Sequence, residues 1–325
     1  DFQPLGPAAR LTSGADPKTF AAPGPGGRLA YSVIRSTFDV WSIPLDPSGR
    51  AAGDPVKLTS LGTQNRLPSL DAAAKRMVFV TNRTGLADVF VTDLGADNGT
   101  ALTSFRRIQH RPLLAASGEQ VAYSSIDGRT CEVAVISAAT RLPAKRHETC
   151  AGLWDWSPDR ASLLLFSPKS NLLQVVGLLD LNTGRRTDVL SHPKEGIFSA
   201  RFAPDGRTIA FTSGATLGDA RVYTAPFRGG VVRPAEWTRI TGEPASNPAW
   251  GPGRIYYRSR RDGFDCVWSQ RLPSGEPEPV VHFHTLARGL YGLRETDFSM
   301  SVTGARLVLN LASHAGTVFT TTRRE

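Results

Sequence analysis

The sequence predicts an all-β protein: a seven-bladed β-propeller of four-stranded blades, formed by a single domain over residues 1–325. Three observations support this prediction: a repeat of regular length, the same order of strands and turns in each copy, and chain ends that complement each other. The composition agrees, since 40% of the residues are hydrophobic, 21% are charged, and the chain has 31 Gly and 23 Pro. Such a chain is too apolar for a disordered protein and rich in turns.

The repeat is the main organising feature. Its clearest copies are FAPDGRTIAFTS at residues 202–213 and WSPDRASLLLFS at residues 156–167. Successive copies begin 42 to 50 residues apart, a spacing that suits four short strands per unit. The seven copies begin at Ala22, Leu70, Leu114, Trp156, Phe202, Trp250 and Met300.

Each copy has the same internal order. A first strand ends at a Pro, Asp and Gly cluster, which is typical of a tight turn. An apolar second strand such as RMVFVT at residues 76–81 is typical of a strand buried on both faces. A third strand follows, as in DVFVTDL at residues 88–94, and a short closing strand ends the unit, as in TALTS at residues 100–104.

The two chain ends complement each other. The last unit reaches Glu325 with three strands and no closing strand, whereas residues 8–13, AARLTS, resemble a closing strand with no unit before it. We therefore expect residues 8–13 to complete the last blade, which would leave the sheets without a free edge. The chain begins without Met, so we also expect it to be a processed chain or part of a longer one.

Charge and cysteine content restrict the partners. The net charge of +9 comes from 38 Lys and Arg against 29 Asp and Glu, but the basic residues are spread in short pairs such as Arg106–Arg107. We therefore expect a solvated basic surface and no nucleic-acid partner. No apolar stretch is long enough to cross a membrane, so we expect no membrane insertion by this chain, and we expect a monomer.

The three cysteines do not form a metal-binding motif. Cys266 lies in an apolar strand, so we expect a buried thiol. Cys131 and Cys150 would pair in an oxidising compartment if the fold brought them together, and the sequence leaves this open.

The repeat resembles the TolB-type, WD-like repeat of bacterial β-propellers, and the resemblance covers essentially the whole chain. Residues 148–159, ETCAGLWDWSPD, and residues 259–272, SRRDGFDCVWSQRL, resemble a narrower group, the C-terminal propeller regions of bacterial serine/threonine kinases or winged-helix regulators. This resemblance implies the sensory half of a signalling protein. It also implies an extracytoplasmic location, with the cytoplasm as the alternative. The chain itself contains no kinase or DNA-binding signature.

We expect a binding site where the first strands of the repeats begin, because these positions converge on one end of a propeller axis. The side chains there are polar and mostly basic, and they would suit a carboxylate or phosphate group. The alternative is that they only hydrate the channel wall. We call this set the channel-end ring: Arg66, His110, Arg111, Trp154, Asp155, Arg201, Asn247, Glu295 and Asp297. Its neighbour Trp156 is expected to pack between blades instead.

His282 and His284 are two residues apart, which places them on one face if they lie in a strand. Two imidazoles in this arrangement form half of a metal site. No HExxH motif or suitably spaced carboxylate accompanies them, so we interpret them as contacts of an inter-blade connection. We predict no metal site and no cofactor.

The sequence favours a non-catalytic binding or sensing propeller with a protein, peptide or small anionic ligand as partner. The chain has no G-x-S-x-G nucleophile motif. The alternative is a propeller enzyme of the lyase, lactonase or glycan-processing type with a metal in the central channel. That alternative requires His and carboxylate side chains that converge on the axis.

Overall fold

The computed structural model describes residues 18–96, 99–104, 108–109, 111–127, 130–168, 174–284, 289–290 and 297–322. The chain divides into two compact units: Asp1–Thr37 together with Ser313–Glu325, and Phe38–Ala312. The helices described are three short 3-10 turns: Pro25–Gly27, Leu217–Asp219 and Pro234–Glu236. In the described ranges, no helix has the length and apolar character needed to span a bilayer.

Strands dominate the structure. In chain order they are β1 (Lys18–Gly24), β2 (Arg28–Pro44), β3 (Val56–Lys57), β4 (Arg66–Leu70), β5 (Arg76–Thr81), β6 (Asp88–Asp93), β7 (Thr100–Ala101), β8 (Ile108–Gln109), β9 (Leu113–Leu114), β10 (Gln120–Asp127), β11 (Thr130–Ser137), β12 (Pro143–Glu148), β13 (Gly152–Trp156), β14 (Ser162–Pro168), β15 (Gln174–Asp180), β16 (Arg186–Leu190), β17 (Gly196–Phe202), β18 (Thr208–Gly214), β19 (Arg221–Pro226), β20 (Thr238–Arg239), β21 (Ala245–Gly251), β22 (Arg254–Ser259), β23 (Cys266–Arg271), β24 (Pro277–Val281), β25 (Met300–Thr303) and β26 (Arg306–Thr322).

These strands form six antiparallel sheets over the described residues. Sheets I to V follow the chain: sheet I contains β4 to β7, sheet II β8 to β12, sheet III β13 to β16, sheet IV β17 to β20 and sheet V β21 to β24. Sheet VI combines the two chain ends in the order β25, β26, β2 and β3, and β1 pairs with β2. The all-β prediction is therefore confirmed.

The predicted count of seven blades is not confirmed, because the units that begin at Ala22 and Met300 both contribute to sheet VI. In sheet I the chain reverses between its second and third strands, where Gly85 has a positive φ and its N–H donates to the Asn82 carbonyl. The corresponding residues 33–37 and 311–317 continue as strand within β2 and β26. Residues 8–13, expected to close the last blade, lie outside the described residues.

The smaller unit contains a hairpin of β1 with the start of β2, paired from Lys18 with Val33 to Gly24 with Arg28. Tyr31 stacks on Phe319 with 5.8 Å between ring centroids. Ser36 Oγ lies 2.8 Å from His314 Nδ1. These contacts join the N-terminal and C-terminal segments of this unit.

The core of the larger unit lies between neighbouring sheets. Consecutive residues of each second strand point to opposite faces, so one strand supplies side chains to two apolar clusters, as Val121 and Ala122 do. Each pair of neighbouring sheets shares one such cluster. One cluster, which contains Val308 and Met77, packs sheet VI against sheet I, so the packing runs in a cycle through the six sheets. Buried pairs from the successive clusters are Val78 and Val121, Ala122 and Leu163, Leu164 and Ile209, Ala210 and Ile255, Val267 and Leu307, and Val308 and Met77.

A buried hydrogen-bonded pair explains the motif of Asp-Val in the third strand and Leu-Thr in the closing strand. In sheet VI, Thr59 Oγ1 donates to Asp39 Oδ1 at 3.1 Å and accepts from Val40 N–H at 3.1 Å. In sheet I, Thr103 makes the same two contacts, with Asp88 and with the Val89 N–H, each at 3.0 Å. The pair ties the outer strand to the third strand at one fixed register.

Candidate functional site

A cavity of about 310 Å³ lies where the first strands of all six sheets meet. Its wall is formed by the later residues of those strands and by the turns that follow them, so the Pro, Asp and Gly turns of the repeat surround its mouth. Ala72, Ala116, Pro158 and Pro204 are exposed at these turns. The lining residues are 68–72, 113–114, 116, 155–158, 201–204, 249–250 and 299–303. We call this space the axial cavity.

Among the described members of the channel-end ring, Asp155 and Arg201 line the axial cavity. Asp155 Oδ2 accepts a hydrogen bond from the Phe202 N–H at 2.8 Å, and Asp155 Oδ1 lies 3.9 Å from Arg201 Nη1. Arg201 also donates to the Trp154 carbonyl and to Ser299 Oγ. One guanidinium therefore contacts groups from sheet III and from the segment that leads into sheet VI.

Hydrogen bonds from Ser299 to sheets I and VI hold the site in place. Ser299 Oγ donates to the Pro68 carbonyl at 3.1 Å, and the Ser299 N–H donates to Asn310 Oδ1 at 3.1 Å. Asn310 Nδ2 donates to the Asp297 carbonyl at 2.9 Å. Arg201 is thus positioned by a chain of hydrogen bonds that reaches sheet I and sheet VI.

Burial raises the pKa of the Asp155 carboxyl above its ordinary value, although the Arg201 charge and the Phe202 N–H both oppose this effect. Burial disfavours the ionised form because a buried carboxylate loses its hydration by water. The carboxyl can consequently donate a hydrogen bond at a higher pH than an exposed Asp does.

The other described members of the ring have partners within the fold and do not line the axial cavity. Arg66 Nη1 forms an ion pair with Asp297 Oδ1 at 3.0 Å. Arg111 donates to the Phe298 carbonyl, and its guanidinium lies 5.2 Å from the centre of the Trp154 ring. Asn247 is buried with a positive φ, next to Ser246.

The described members of the channel-end ring therefore fall into two groups, those that line the axial cavity and those that do not. Trp154 is 2% exposed and belongs to the core between sheets III and IV, while Trp156 packs between sheets II and III as expected. His110 and Glu295 lie outside the described residues. The sequence interpretation missed Ser299 and Asn310, although Ser299 directly precedes, and Asn310 ends, the repeat copy that begins at Met300.

The cysteines take two different states. Cys131 and Cys150 form a disulfide, with 4.8 Å between their Cα atoms, that joins the start of β11 to the residues after β12. Cys266 is a buried free thiol, as expected. It lies beside Asp262, His282 and His284, outside the axial cavity.

Six sheets packed in a cycle around an axial cavity define the class of protein: it is a β-propeller. No family model matches the chain. A segment of 141 residues is 28% identical to the TolB homolog of Chlorobium chlorochromatii (strain CaD3), and the match covers 42% of this chain and 31% of that protein.

Solved structures agree on the fold. The putative TolB of Agrobacterium tumefaciens superimposes with a TM-score of 0.59 at 16% identity, over 76% of this chain and 89% of that one. TolB of Acinetobacter baumannii gives 0.56 at 15% identity, over 87% and 65%. The β-propeller domain of the Trilobed protease from Pyrococcus furiosus, with its open velcro topology, gives 0.52 at 10% identity, over 88% of each chain. The fold is that of a TolB-like β-propeller.

Proposed function

We propose that this chain is a non-catalytic protein-interaction propeller whose axial cavity receives a peptide segment, or a small anionic group, of a partner. The observation that carries the proposal is the cavity of about 310 Å³ lined by all six sheets. This volume lies at the lower end of the range for ligand sites and is far too small for a folded domain. An extended segment or a compact ligand is the occupant that fits.

The chemistry of the wall suits such an occupant. Ser69, Ser157 and Ser301 supply small polar side chains, and Arg201 supplies the cationic side chain of the described lining. A carboxylate placed there would accept hydrogen bonds from Arg201, while the protonated form of Asp155 would not repel it. Because the wall is built from paired strands, binding requires little ordering of the protein.

The disulfide supports a location outside the cytoplasm. Cytosolic thiols are kept reduced, whereas disulfides persist in secreted and periplasmic proteins. The Cys131–Cys150 pair is therefore the feature that favours the extracytoplasmic location. Together with the resemblance of residues 148–159 and 259–272, it supports a role as the sensory half of a bacterial signalling protein.

The enzyme alternative has weaker support from the cavity wall. The ionisable side chains among its described lining residues are Asp71, Asp155 and Arg201. Asp71 Oδ1 already accepts the Lys75 and Arg76 N–H groups at 2.8 and 3.0 Å, as a turn-forming Asp does. These residues do not provide the imidazoles and paired carboxylates that a channel metal would require.

Site-specific photocrosslinking in the full-length protein tests the proposal. A benzoylphenylalanine at Ala116, exposed at the cavity mouth, is expected to form an adduct with a partner in the native host. The matched control is the same residue at Ala139, which is exposed in the turn between β11 and β12. Adducts at both positions, or at neither, would contradict binding at the axial cavity.

A further inference from the structure

Sheet V contains a cluster of four metal-ligating side chains: Asp262, Cys266, His282 and His284. One ligand atom from each lies within 4.8 Å of the others. His282 Nδ1 is 2.8 Å from Asp262 Oδ2, and Cys266 Sγ is 3.8 Å from His284 Nδ1 and 4.0 Å from Asp262 Oδ2. The cluster lies at the start of β23 and the end of β24, and none of its members lines the axial cavity.

Strand register explains why residues so far apart in sequence meet. Val267 of β23 pairs with Val281 of β24, so the next positions, Cys266 and His282, lie side by side. His284 follows two residues later on the same face, because Phe283 between them is 1% exposed and points into the core. Asp262 reaches the cluster from the turn between β22 and β23.

The cluster occupies the position of the repeated Asp–Thr pair. In sheets VI and I this position holds Asp39 with Thr59 and Asp88 with Thr103. The Cys-Val-Trp of β23 aligns with the Asp-Val-Trp of β2, which places Cys266 at the Asp position and His282 at the Thr position. Sheet V has thus replaced a hydrogen-bonded pair with a thiol and an imidazole, two side chains that bind transition metals well.

The ligand atoms can form a tetrahedral site after side-chain adjustments, because the His282–Asp262 separation is 2.8 Å and the largest separation in the cluster is 4.8 Å. Zinc bonds of about 2.0–2.3 Å place ligand atoms about 3.3–3.6 Å apart in a tetrahedron. The Cys266–His284 and Cys266–Asp262 separations of 3.8 and 4.0 Å exceed this range by a few tenths of an ångström. The ligand charges, one thiolate and one carboxylate, would balance a divalent cation.

The surroundings match those of a metal ligand set. Phe264 stacks on His284 at 4.3 Å, and Trp268 contacts His282 edge to face at 5.7 Å, so both rings are held in place. Burial raises the pKa of the Cys266 thiol, and a bound cation would offset that cost by stabilising the thiolate. The neighbouring Asp265 is engaged by Arg258 at 3.0 Å and takes no part.

We propose that Asp262, Cys266, His282 and His284 bind one divalent transition-metal ion, with Zn²⁺ as the preferred ion. Four protein ligands leave no open position, so the site is structural and ties the β22–β23 turn to the end of β24. Binding releases the Cys266 thiol proton to solvent. The site is independent of the axial cavity and of the partner that the cavity binds.

Titration of the purified, metal-free chain with ZnCl₂ tests the proposal. We expect one Zn²⁺ per chain and an increase of the thermal unfolding midpoint. Cys266→Ser and His284→Ala are each expected to weaken Zn²⁺ binding by at least about tenfold, because each removes a direct ligand. His314→Ala, which removes an exposed histidine elsewhere, is expected to leave Zn²⁺ binding unchanged.

Co²⁺ provides a spectroscopic readout that does not depend on stability. The chain and its His314→Ala variant are expected to show the visible bands of tetrahedral Co²⁺ and a thiolate-to-metal charge-transfer band. The charge-transfer band is expected to disappear in Cys266→Ser. Substoichiometric Zn²⁺ binding, or equal binding by all variants, would overturn the proposal and leave the side-chain contact between Asp262 and His282 as the role of these residues. His284→Ala is expected to fold, because the side chain of His284 is exposed.

Discussion

Asp155 and Arg201 belong to the neighbouring sheets III and IV, and their side chains meet in the wall of the axial cavity with Oδ1 and Nη1 3.9 Å apart. The carboxylate also accepts the Phe202 N–H, and the guanidinium donates to the Trp154 carbonyl. Each side chain therefore bonds the backbone of the other's sheet. This reciprocal arrangement fixes how two blades meet at the axis.

Replacement of Arg201 is expected to destabilise the chain. Arg201→Met removes the guanidinium that contacts the Trp154 carbonyl, Ser299 Oγ and Asp155, at an expected cost of about 2 kcal/mol in the free energy of unfolding. Urea denaturation measures this cost. The double variant with Asp155→Asn should recover part of it, since the buried charge is removed as well. Arg207→Met, at an exposed turn, is the control, and equal midpoints for both single variants would refute the interpretation.

Asp155 is expected to give stability a distinctive pH dependence. The pKa of Asp155 in the folded chain is raised above the ordinary 3.8. Its contribution to the free energy of unfolding is therefore complete below pH 3.8 and is lost as the pH rises through the folded pKa. The free energy of unfolding of the wild type, relative to Asp155→Asn, should fall across that window and then become constant. Denaturation curves at a series of pH values measure it, and a rise would show that Arg201 outweighs burial.

Glu278 is expected to make the free energy of unfolding depend on pH in the opposite direction. The Arg254 side chain, which donates to Glu278 Oε2 at 3.0 Å, lowers the pKa of this carboxyl below 4.5. Its contribution is therefore present above pH 4.5 and is lost as the pH falls through the folded pKa. Glu278→Gln is expected to be less stable than the wild type near neutral pH, with the difference shrinking on acidification. A difference that stays constant with pH would contradict this assignment.

Loss of the disulfide is expected to destabilise the fold. Cys131 and Cys150 are 19 residues apart, and closing a loop of this size reduces the entropy of the unfolded chain by an amount worth about 3 kcal/mol. Cys131→Ser should lower the thermal midpoint measured without reductant. Addition of reductant should lower the wild type to the level of the variant. A wild type that is insensitive to reductant would show that the pair does not form in solution.

Gly152 tests the packing behind the axial site. A Cβ at this position would lie 1.7 Å from Phe166 Cε1, and Phe166 packs on Trp154 with 5.1 Å between ring centroids. Gly152→Ala is therefore expected to cost about 1–3 kcal/mol through overpacking. Gly230→Ala is the matched control, because a Cβ there meets nothing within 4 Å. Comparable melting of both variants would contradict the described packing.

The sequence predicted those features that follow from local pattern. The turn residues and apolar strands of each repeat predicted the all-β fold. The repeat position of Trp156 and the apolar strand around Cys266 predicted their burial. The blade count depends on whether the chain reverses at residues 33–37 and 311–317, where no turn-forming cluster marks the outcome. Strand continuation there merges the two end units into sheet VI.

The sites depended on pairings that residue spacing does not reveal. Arg66 and Asp297 are 231 residues apart, so the sequence identified both as channel residues but not as an ion pair. Their pairing removes much of the basic character expected of the channel-end ring. Likewise, only the register of β23 with β24 places Cys266 beside His282. Repeat alignment was the available signal, since Cys266 and His282 take the positions of Asp39 and Thr59.

Calorimetric titration measures whether a partner segment binds in the axial cavity. A peptide selected on the wild-type chain would be titrated into the wild type, Ala116→Trp and Ala139→Trp. We expect one peptide per chain and a loss of at least about tenfold in affinity for Ala116→Trp, since the indole would occupy the cavity mouth. Ala139→Trp should bind as the wild type does. Equal affinity of all three proteins would contradict the claim.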